Sequence, residues 1–224
     1  MLRELFHLAR HAPGVLLLKQ RVDHVELYET VMKRADDAGL AERRRTLANG
    51  LVGDVLEVGC GTGFMFEYYP AAAKVRAIDI DDAFLEVARR RTTPNIEVML
   101  ADAQALPFSD ASFDAVVSSL VFCSIPDAGR ALAEARRVLR PGGEMRMIEH
   151  VVSDRPLART LMRAVDPLWV WINEQGCHMD RDTLAQVRTT FGEVSIEHFQ
   201  IYSNGLPAFP MCSLRATKTA YTDC

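Results

Sequence analysis

No apolar run in the chain comes near the roughly 20 residues that a membrane-spanning helix needs. The longest early candidate, residues 15–18, is crowded by Arg10, Pro13 and Lys19, which also speaks against a secretory signal. Cysteine is sparse: Cys60, Cys123, Cys177, Cys212 and Cys224 are odd in number, widely separated and nowhere spaced C-x-x-C. Neither a disulfide framework nor a metal-binding motif is expected, so the sequence reads as a metal-free protein of a reducing, cytoplasmic compartment. Positive charge is not in excess: 26 Lys and Arg face 30 Asp and Glu, a net charge of -4, which argues against duplex nucleic acid as a partner. Repeats and low-complexity tracts are missing too. With 49% apolar residues over 224 positions the chain can build one buried core, and disorder is excluded.

What is present falls into two parts. Residues 1–50 read as a helical lid segment, with Leu2, Leu5, Phe6 and Ala9 on one face, a break at Pro13-Gly14, then Leu17, Val22, Val25 and Tyr28. Residues 1–22 hold Arg3, Arg10, Lys19 and Arg21 against Glu4 alone, a pattern open to three uses: weak contact with an anionic membrane surface, cover for a pocket, or plain packing on its own domain. From residue 51 to 218 the pattern becomes short β-branched runs alternating with helical stretches. Strands are expected at 55–58, 75–78, 96–100, 115–118 and 145–148, and helices at 64–69, 82–91 and 129–139, the last closed by Pro141-Gly142-Gly143. That alternation predicts a doubly wound, mostly parallel seven-stranded α/β sheet. A helical insertion at 153–190 follows, containing Asp166-Pro167-Leu168-Trp169-Val170-Trp171 and a helix at 183–190. Strands at 194–199 and 213–217 with no helix between them predict an antiparallel hairpin at the sheet edge, and residues 219–224 read as a tail.

The strongest chemical signal is Val55-Leu56-Glu57-Val58-Gly59-Cys60-Gly61-Thr62-Gly63, a buried strand running into a glycine turn. Glycines there let a ligand approach the backbone and leave amides free to donate. Phe64 stands where a dinucleotide fingerprint wants its last glycine, which disfavours a nicotinamide oxidoreductase. Asp79 ends the second expected strand, where a carboxylate can accept from both ribose hydroxyls, and Asp102 ends the third, where it can accept from a purine amine or merely cap the next turn. Elements at three successive strand ends thus converge on one crevice.

With these residues in view, the chain resembles the class I S-adenosylmethionine-dependent methyltransferases over residues 51–218. Glu57 to Gly63, Asp79, Asp102-Ala103, Phe113-Asp114-Ala115-Val116-Val117-Ser118 and Leu139-Arg140-Pro141-Gly142-Gly143 carry the likeness. The resemblance implies a Rossmann-like fold, S-adenosylmethionine as cofactor, and cofactor contacts from Glu57, Gly59, Cys60, Gly61, Asp79, Ile80, Asp102, Ala103 and Ser119. Within that superfamily, Leu120-Val121-Phe122-Cys123-Ser124-Ile125, Glu149-His150-Val151, Asp166-Pro167 with Trp169, and residues 176–183 resemble the methyltransferase-like 7 group, whose animal members are thiol S-methyltransferases. The animal members carry a hydrophobic N-terminal anchor that has no counterpart in this sequence.

The resemblance implies methyl transfer to a small, largely apolar acceptor, favoured as a thiol sulfur. His150 is the first candidate for holding or deprotonating that thiol and His178 the second, each weighed against a structural or solvated histidine. N- or O-methylation of a natural-product intermediate or a phospholipid amine is the alternative, and a non-catalytic cofactor-binding partner subunit is the reading from another class. Cys60 is expected to be a spacer and Cys123 a buried apolar residue. Glu149, Arg181 and Asp182 read as pocket polar groups or an ion network. One of Trp169 and Trp171, which cannot share a helix face, is expected to line the acceptor pocket. Residues 1–40 and 157–179 are expected to form a lid over it.

Overall fold

The computed structural model describes residues 23–152, 156–173, 176–178, 180–203 and 206–219. The readings on residues 1–22 and on the side chains of Trp169 and Trp171 fall outside what is described. Among the described residues, two helices precede the sheet: α1 (His24–Ala35) and α2 (Ala41–Ala48), joined through a π-type turn at Asp36–Leu40 where Gly39 sits at φ 115°. Then follow β1 (Gly53–Val58), β2 (Ala73–Asp79), α3 (Asp82–Arg89), β3 (Ile96–Leu100), β4 (Phe113–Ser119), α4 (Ala128–Val138), β5 (Leu139–His150), α5 (Pro156–Asn173), α6 (Thr183–Phe191), β6 (Val194–Ser203) and β7 (Leu206–Thr217). The seven strands form one sheet in the order β3-β2-β1-β4-β5-β7-β6. Neighbours from β3 through β5 pair in parallel. The hairpin stands at the edge as expected, with β6 outermost and β7, the strand that opposes its neighbours, one position in.

Local chemistry explains the helices. Asp81, Asp127 and Asp182 each cap the N-terminus of α3, α4 and α6, their side chains accepting first-turn amide protons that have no partner inside the helix. On α4, Ala128, Ala131, Leu132, Ala135 and Val138 recur at helical spacing and are buried against the sheet. Two expectations need correction. Residues 64–69 form only a three-residue 3-10 turn, Phe66–Tyr68, because Pro70 disfavours helical geometry at Tyr69, which is extended at φ -70°, ψ 128°. Pro141-Gly142-Gly143 does not lie in a turn between helix and strand: β5 already begins at Leu139, pairs with Phe113, and runs through them with a register shift. Among the described residues, no helix is long and apolar enough to cross a membrane.

The sheet has a core on each face. Leu56, Val58, Val116, Met145 and Met147 meet α4 and α6 on one side; Val55, Val75, Val117 and Ile148 meet Leu40 and Leu47 on the other. The helices before the sheet thus share its core. Arg146 of β5 ties them down, its Nη1 donating to the carbonyls of Leu47 at 3.0 Å and Asn49 at 2.7 Å just where α2 ends. On β1, Glu57 is buried at 2% exposure and its Oε2 has no hydrogen-bond partner. Burial raises its pKa to about 8, against the lowering influence of the Tyr69 hydroxyl and of Arg44 and with Asp79 adding to the rise.

Two outcomes follow. Arg146→Ala leaves the buried Leu47 carbonyl and the partly buried Asn49 carbonyl without their charged donor and should cost about 1.5–3 kcal/mol, read as a lower urea midpoint. Because Glu57 holds its proton more tightly folded than unfolded, its contribution to stability is fully present below its ordinary value of 4.5 and is lost as pH rises through about 8. Urea midpoints should therefore fall between pH 6 and 9, and Glu57→Gln, which cannot ionise, should flatten that slope. An equal slope in both proteins would show that Glu57 does not carry it.

Candidate active site

The turn after β1 is built from left-handed backbone: Gly59, Gly61 and Gly63 have φ of 68°, 53° and 90°. Space demands glycine as well, since a Cβ on Gly59 would lie 2.4 Å from Cγ1 of Val121, and one on Gly61 2.5 Å from the Tyr28 hydroxyl. The turn is pinned to β2, with the Cys60 amide donating to the Ile78 carbonyl at 2.9 Å and the Gly61 amide to Asp79 Oδ2 at 2.8 Å. Asp79 Oδ1 accepts from the Asp81 amide at 3.0 Å, and burial raises the Asp79 pKa against the lowering effect of these amides. Ile80, next in sequence, exposes 71% of its surface, an apolar side chain standing free beside the carboxylate. Cys60 is buried, and burial together with Glu57 and Asp79 pushes its thiol pKa well up, so it is a spacer and not a nucleophile.

Asp102 holds its own turn: Oδ1 accepts from the Gln104 amide at 2.8 Å, and the Gln104 side chain donates to both carboxylate oxygens. Gln104 Oε1 in turn accepts from the Asp127 amide at 3.1 Å, linking the end of β3 to the start of α4. Ala103 is half-buried against the core, and Ser119 ends β4 with its hydroxyl 3.5 Å from Nε of Arg44.

Tyr28 and Arg44 were not among the candidate site residues read from the sequence. Half-buried Tyr28 lies on the glycine turn with its ring 4.6 Å from that of Phe84 and 6.2 Å from that of Phe64. Arg44 is 2% exposed, paired with Asp36 at 2.5 Å and set over the Phe64 ring at 5.1 Å. Tyr28 was visible as part of an apolar helix face, but nothing local told that this face would meet the glycine turn.

The other end of the crevice is formed by the carboxyl ends of β4 and β5. Leu120 takes the left-handed conformation, φ 63°, and turns the chain out of β4. Buried Glu149 holds the residues that follow, its Oε1 accepting from the amides of Val121 at 3.0 Å and Phe122 at 2.9 Å. Arg181 donates to the carbonyls of Phe122 and Ile125, and Asp182 caps α6, so the three groups read as pocket or ion-network residues act as backbone ties. Together they bring Cys123, His150 and Cys177 to one place, with donor atoms all within 4.8 Å of one another. The spacing rule that predicted no metal motif could not see this cluster, because its members come from three elements far apart in sequence.

The two candidate histidines are joined: His150 Nε2 lies 2.9 Å from the carbonyl of His178. A carbonyl only accepts, so Nε2 carries a proton and donates it there. Burial lowers the His150 pKa, but the contact with Cys177, the charge of Glu149 and the His178 carbonyl outweigh it and hold it up at about 9. His178 Nδ1 lies 2.8 Å from buried Asp166, which leaves Nε2 of the neutral ring as its acceptor. The Cys177 thiol pKa is pushed up by its hydrogen bond with Cys123 and by burial.

The Methyltransferase domain family matches residues 56–147. Thiol S-methyltransferase TMT1B from Rattus norvegicus is 31% identical over 172 residues, 73% of this chain and 70% of that protein. Phosphatidylethanolamine N-methyltransferase from Cereibacter sphaeroides is 38% identical over 124 residues, 52% of this chain and 61% of that one. Among solved structures, a SAM-dependent methyltransferase, possible histamine N-methyltransferase, from Thermotoga maritima superposes with a TM-score of 0.67 over 87% of this chain and 96% of that one at 22% identity, a likeness of fold. The cofactor is S-adenosylmethionine, and with this kinship the chain belongs to the class I S-adenosylmethionine-dependent methyltransferases, in the same group as the TMT1 enzymes.

Proposed function

We propose that the chain methylates the sulfur of a small, largely apolar thiol. The observation that carries this reading is the similarity to thiol S-methyltransferases across 73% of the chain. The crevice geometry is compatible with it. The buried, unpartnered Oε2 of Glu57, the exposed Ile80 and the left-handed glycines form a polar and apolar cradle at the ends of β1 and β2 that suits the cofactor. Gly59, Cys60 and Gly61 would line it with backbone, Asp79 would accept from ribose hydroxyls, and Ile80, Asp102, Ala103 and Ser119 would border the base and the far wall. Tyr28 and Arg44 on the helices before the sheet would close it from above, which gives the lid assignment of residues 1–50 its support.

The cofactor supplies a methyl group on a sulfonium, already a good leaving group. The protein's share is to hold the acceptor in line and keep water out, effects that contribute roughly 7–11 kcal/mol in favourable cases. The acceptor would lie between the cradle and the ends of β4 and β5. His178, fixed by Asp166, would hold the S–H through its free Nε2, while His150 is turned to the His178 carbonyl and serves position rather than proton removal. Thiols ask least of the protein, since their unperturbed pKa is about 8.5 and the anion is strongly nucleophilic.

Asp79→Asn should weaken S-adenosylhomocysteine binding about 10- to 100-fold in calorimetry, the loss of a charge-assisted hydrogen bond; unchanged affinity would remove Asp79 from the cradle. With labelled cofactor and a panel of alkyl thiols, aryl thiols, amines, phenols and vesicles of phosphatidylethanolamine, label should appear on a thiol. Transfer to the lipid amine, with none to thiols, would move the assignment toward the Cereibacter sphaeroides relative. Cofactor binding with no product from any acceptor would favour a silent partner subunit. His178→Ala should raise the thiol KM and lower turnover, with His178→Gln, which keeps an acceptor, recovering part of both.

A further inference from the structure

We propose that Cys123, His150 and Cys177 form a three-donor site for one zinc ion, with the fourth position open to the acceptor. Two sulfurs and one imidazole are a soft donor set that selects zinc over magnesium, calcium or manganese, and three protein ligands with an open position is the arrangement of catalytic rather than structural zinc. Bond lengths of about 2.3 Å to sulfur and about 2.1 Å to nitrogen at tetrahedral angles place such donors roughly 3.6–3.8 Å apart. Cys177 Sγ stands 3.8 Å from Nδ1 of His150 and 3.5 Å from its Nε2, and the three residues each offer a donor atom within 4.8 Å of the others, so a small inward adjustment completes the triangle.

The imidazole is already oriented as a ligand. Its Nε2 donates to the His178 carbonyl at 2.9 Å, the outer hydrogen bond that metal-binding histidines make, and the ion would take Nδ1, any proton held there passing to solvent as the metal binds. The elements that carry the donors are also fixed independently of any ion. Cys123 follows the two amides held by Glu149, His150 ends β5, and the His178 amide donates to the Cys123 carbonyl at 3.1 Å, drawing Cys177 against the β4 loop. Val121, two residues before Cys123, packs on Gly59 of the cofactor turn, so the site faces the reacting end of the crevice. Binding the ion breaks the S–H bonds of Cys123 and Cys177, their protons passing to solvent as the two sulfur–zinc bonds form. The fourth position, which rests on the thiol reading above, would take the acceptor sulfur as thiolate, its S–H bond breaking with the proton passing to solvent and a further sulfur–zinc bond forming.

The test uses the whole chain, reduced and stripped of metal, with cobalt(II) as the probe. One cobalt per chain should bind, giving a near-ultraviolet thiolate-to-cobalt band and the visible bands of tetrahedral coordination, both abolished by added zinc. Cys123→Ser and Cys177→Ser should each weaken cobalt binding at least 100-fold and diminish the thiolate band. Cys212→Ser, outside the cluster, should behave as the unaltered protein. S-adenosylhomocysteine binding by calorimetry shows that each variant is folded. No stoichiometric cobalt, or a thiolate band that survives the double Cys123→Ser, Cys177→Ser variant, overturns the site. A Cys123–Cys177 disulfide recovered from air-exposed protein that binds no cobalt when reduced also overturns it. A small alkanethiol should shift the bands of the cobalt form, and bands that stay fixed at saturating thiol overturn the open fourth position. Stoichiometric cobalt in a protein that methylates only amines leaves the three-donor site standing while rejecting the sulfur acceptor.

Discussion

The carboxyl group of Glu149 is the point on which both halves of the crevice depend. It is wholly buried at the end of β5, and burial raises its pKa while the amides of Val121 and Phe122 work to lower it. Those two hydrogen bonds fix a segment that begins with an unfavourable step, since a left-handed leucine at Leu120 costs roughly 1–2 kcal/mol. The Leu120 amide, donating to the Ile148 carbonyl at 2.7 Å, anchors the same turn to β5. One consequence lies on the cofactor side, where Val121 is driven close enough to Gly59 to forbid any side chain there. The other lies on the acceptor side, where Cys123 is delivered to His150. A single buried group thus fixes both the approach of Val121 to the glycine turn and the place of Cys123 beside His150, and strain at Leu120 is tolerated because the surrounding bonds over-determine it.

Above the glycine turn, closure comes from a different kind of force. Tyr28 and Phe84 stack, His24 lies 3.2 Å from Asp81, and Glu29 pairs with Arg91 at 2.7 Å, so α1 is held over β1 and α3 by side chains alone. The ion pairs among these are partly exposed and contribute little each; the aromatic contact and the burial of Leu40 and Leu47 below carry more. Arg44 differs because it is buried. It brings a positive charge to within reach of Glu57 while already satisfied by Asp36, and so opposes the rise that burial imposes on the Glu57 pKa.

The parts of this molecule legible in the sequence are those whose cause is local. The glycine turn, the strand-ending Asp79 and the alternation of strand and helix each follow from backbone rules acting over a few residues, and each is where the pattern placed it. The failures share an origin too. Residues 64–69 had helical apolar spacing, yet Pro70 overrode it. Tyr28, Arg44 and the cluster of Cys123, His150 and Cys177 were invisible because the sheet order, not the sequence, makes them neighbours: β5 sits beside β4, and the β4 loop draws in the segment before α6.

That same topology divides the labour between the two histidines. His150 ends a central strand and donates its Nε2 proton to the His178 carbonyl, so its ring direction is set by main chain. His178 lies in the segment before α6, is 36% exposed, and is held through Nδ1 by an aspartate from α5. An exposed nitrogen on a ring steered by a buried carboxylate is the better place to meet an incoming S–H, whereas a fixed ring in a buried nest of sulfur is the better place to hold something still. On the proposed thiol reading this geometry would put His178 ahead of His150, because position at a strand end says where a side chain begins but not which of its atoms is already engaged.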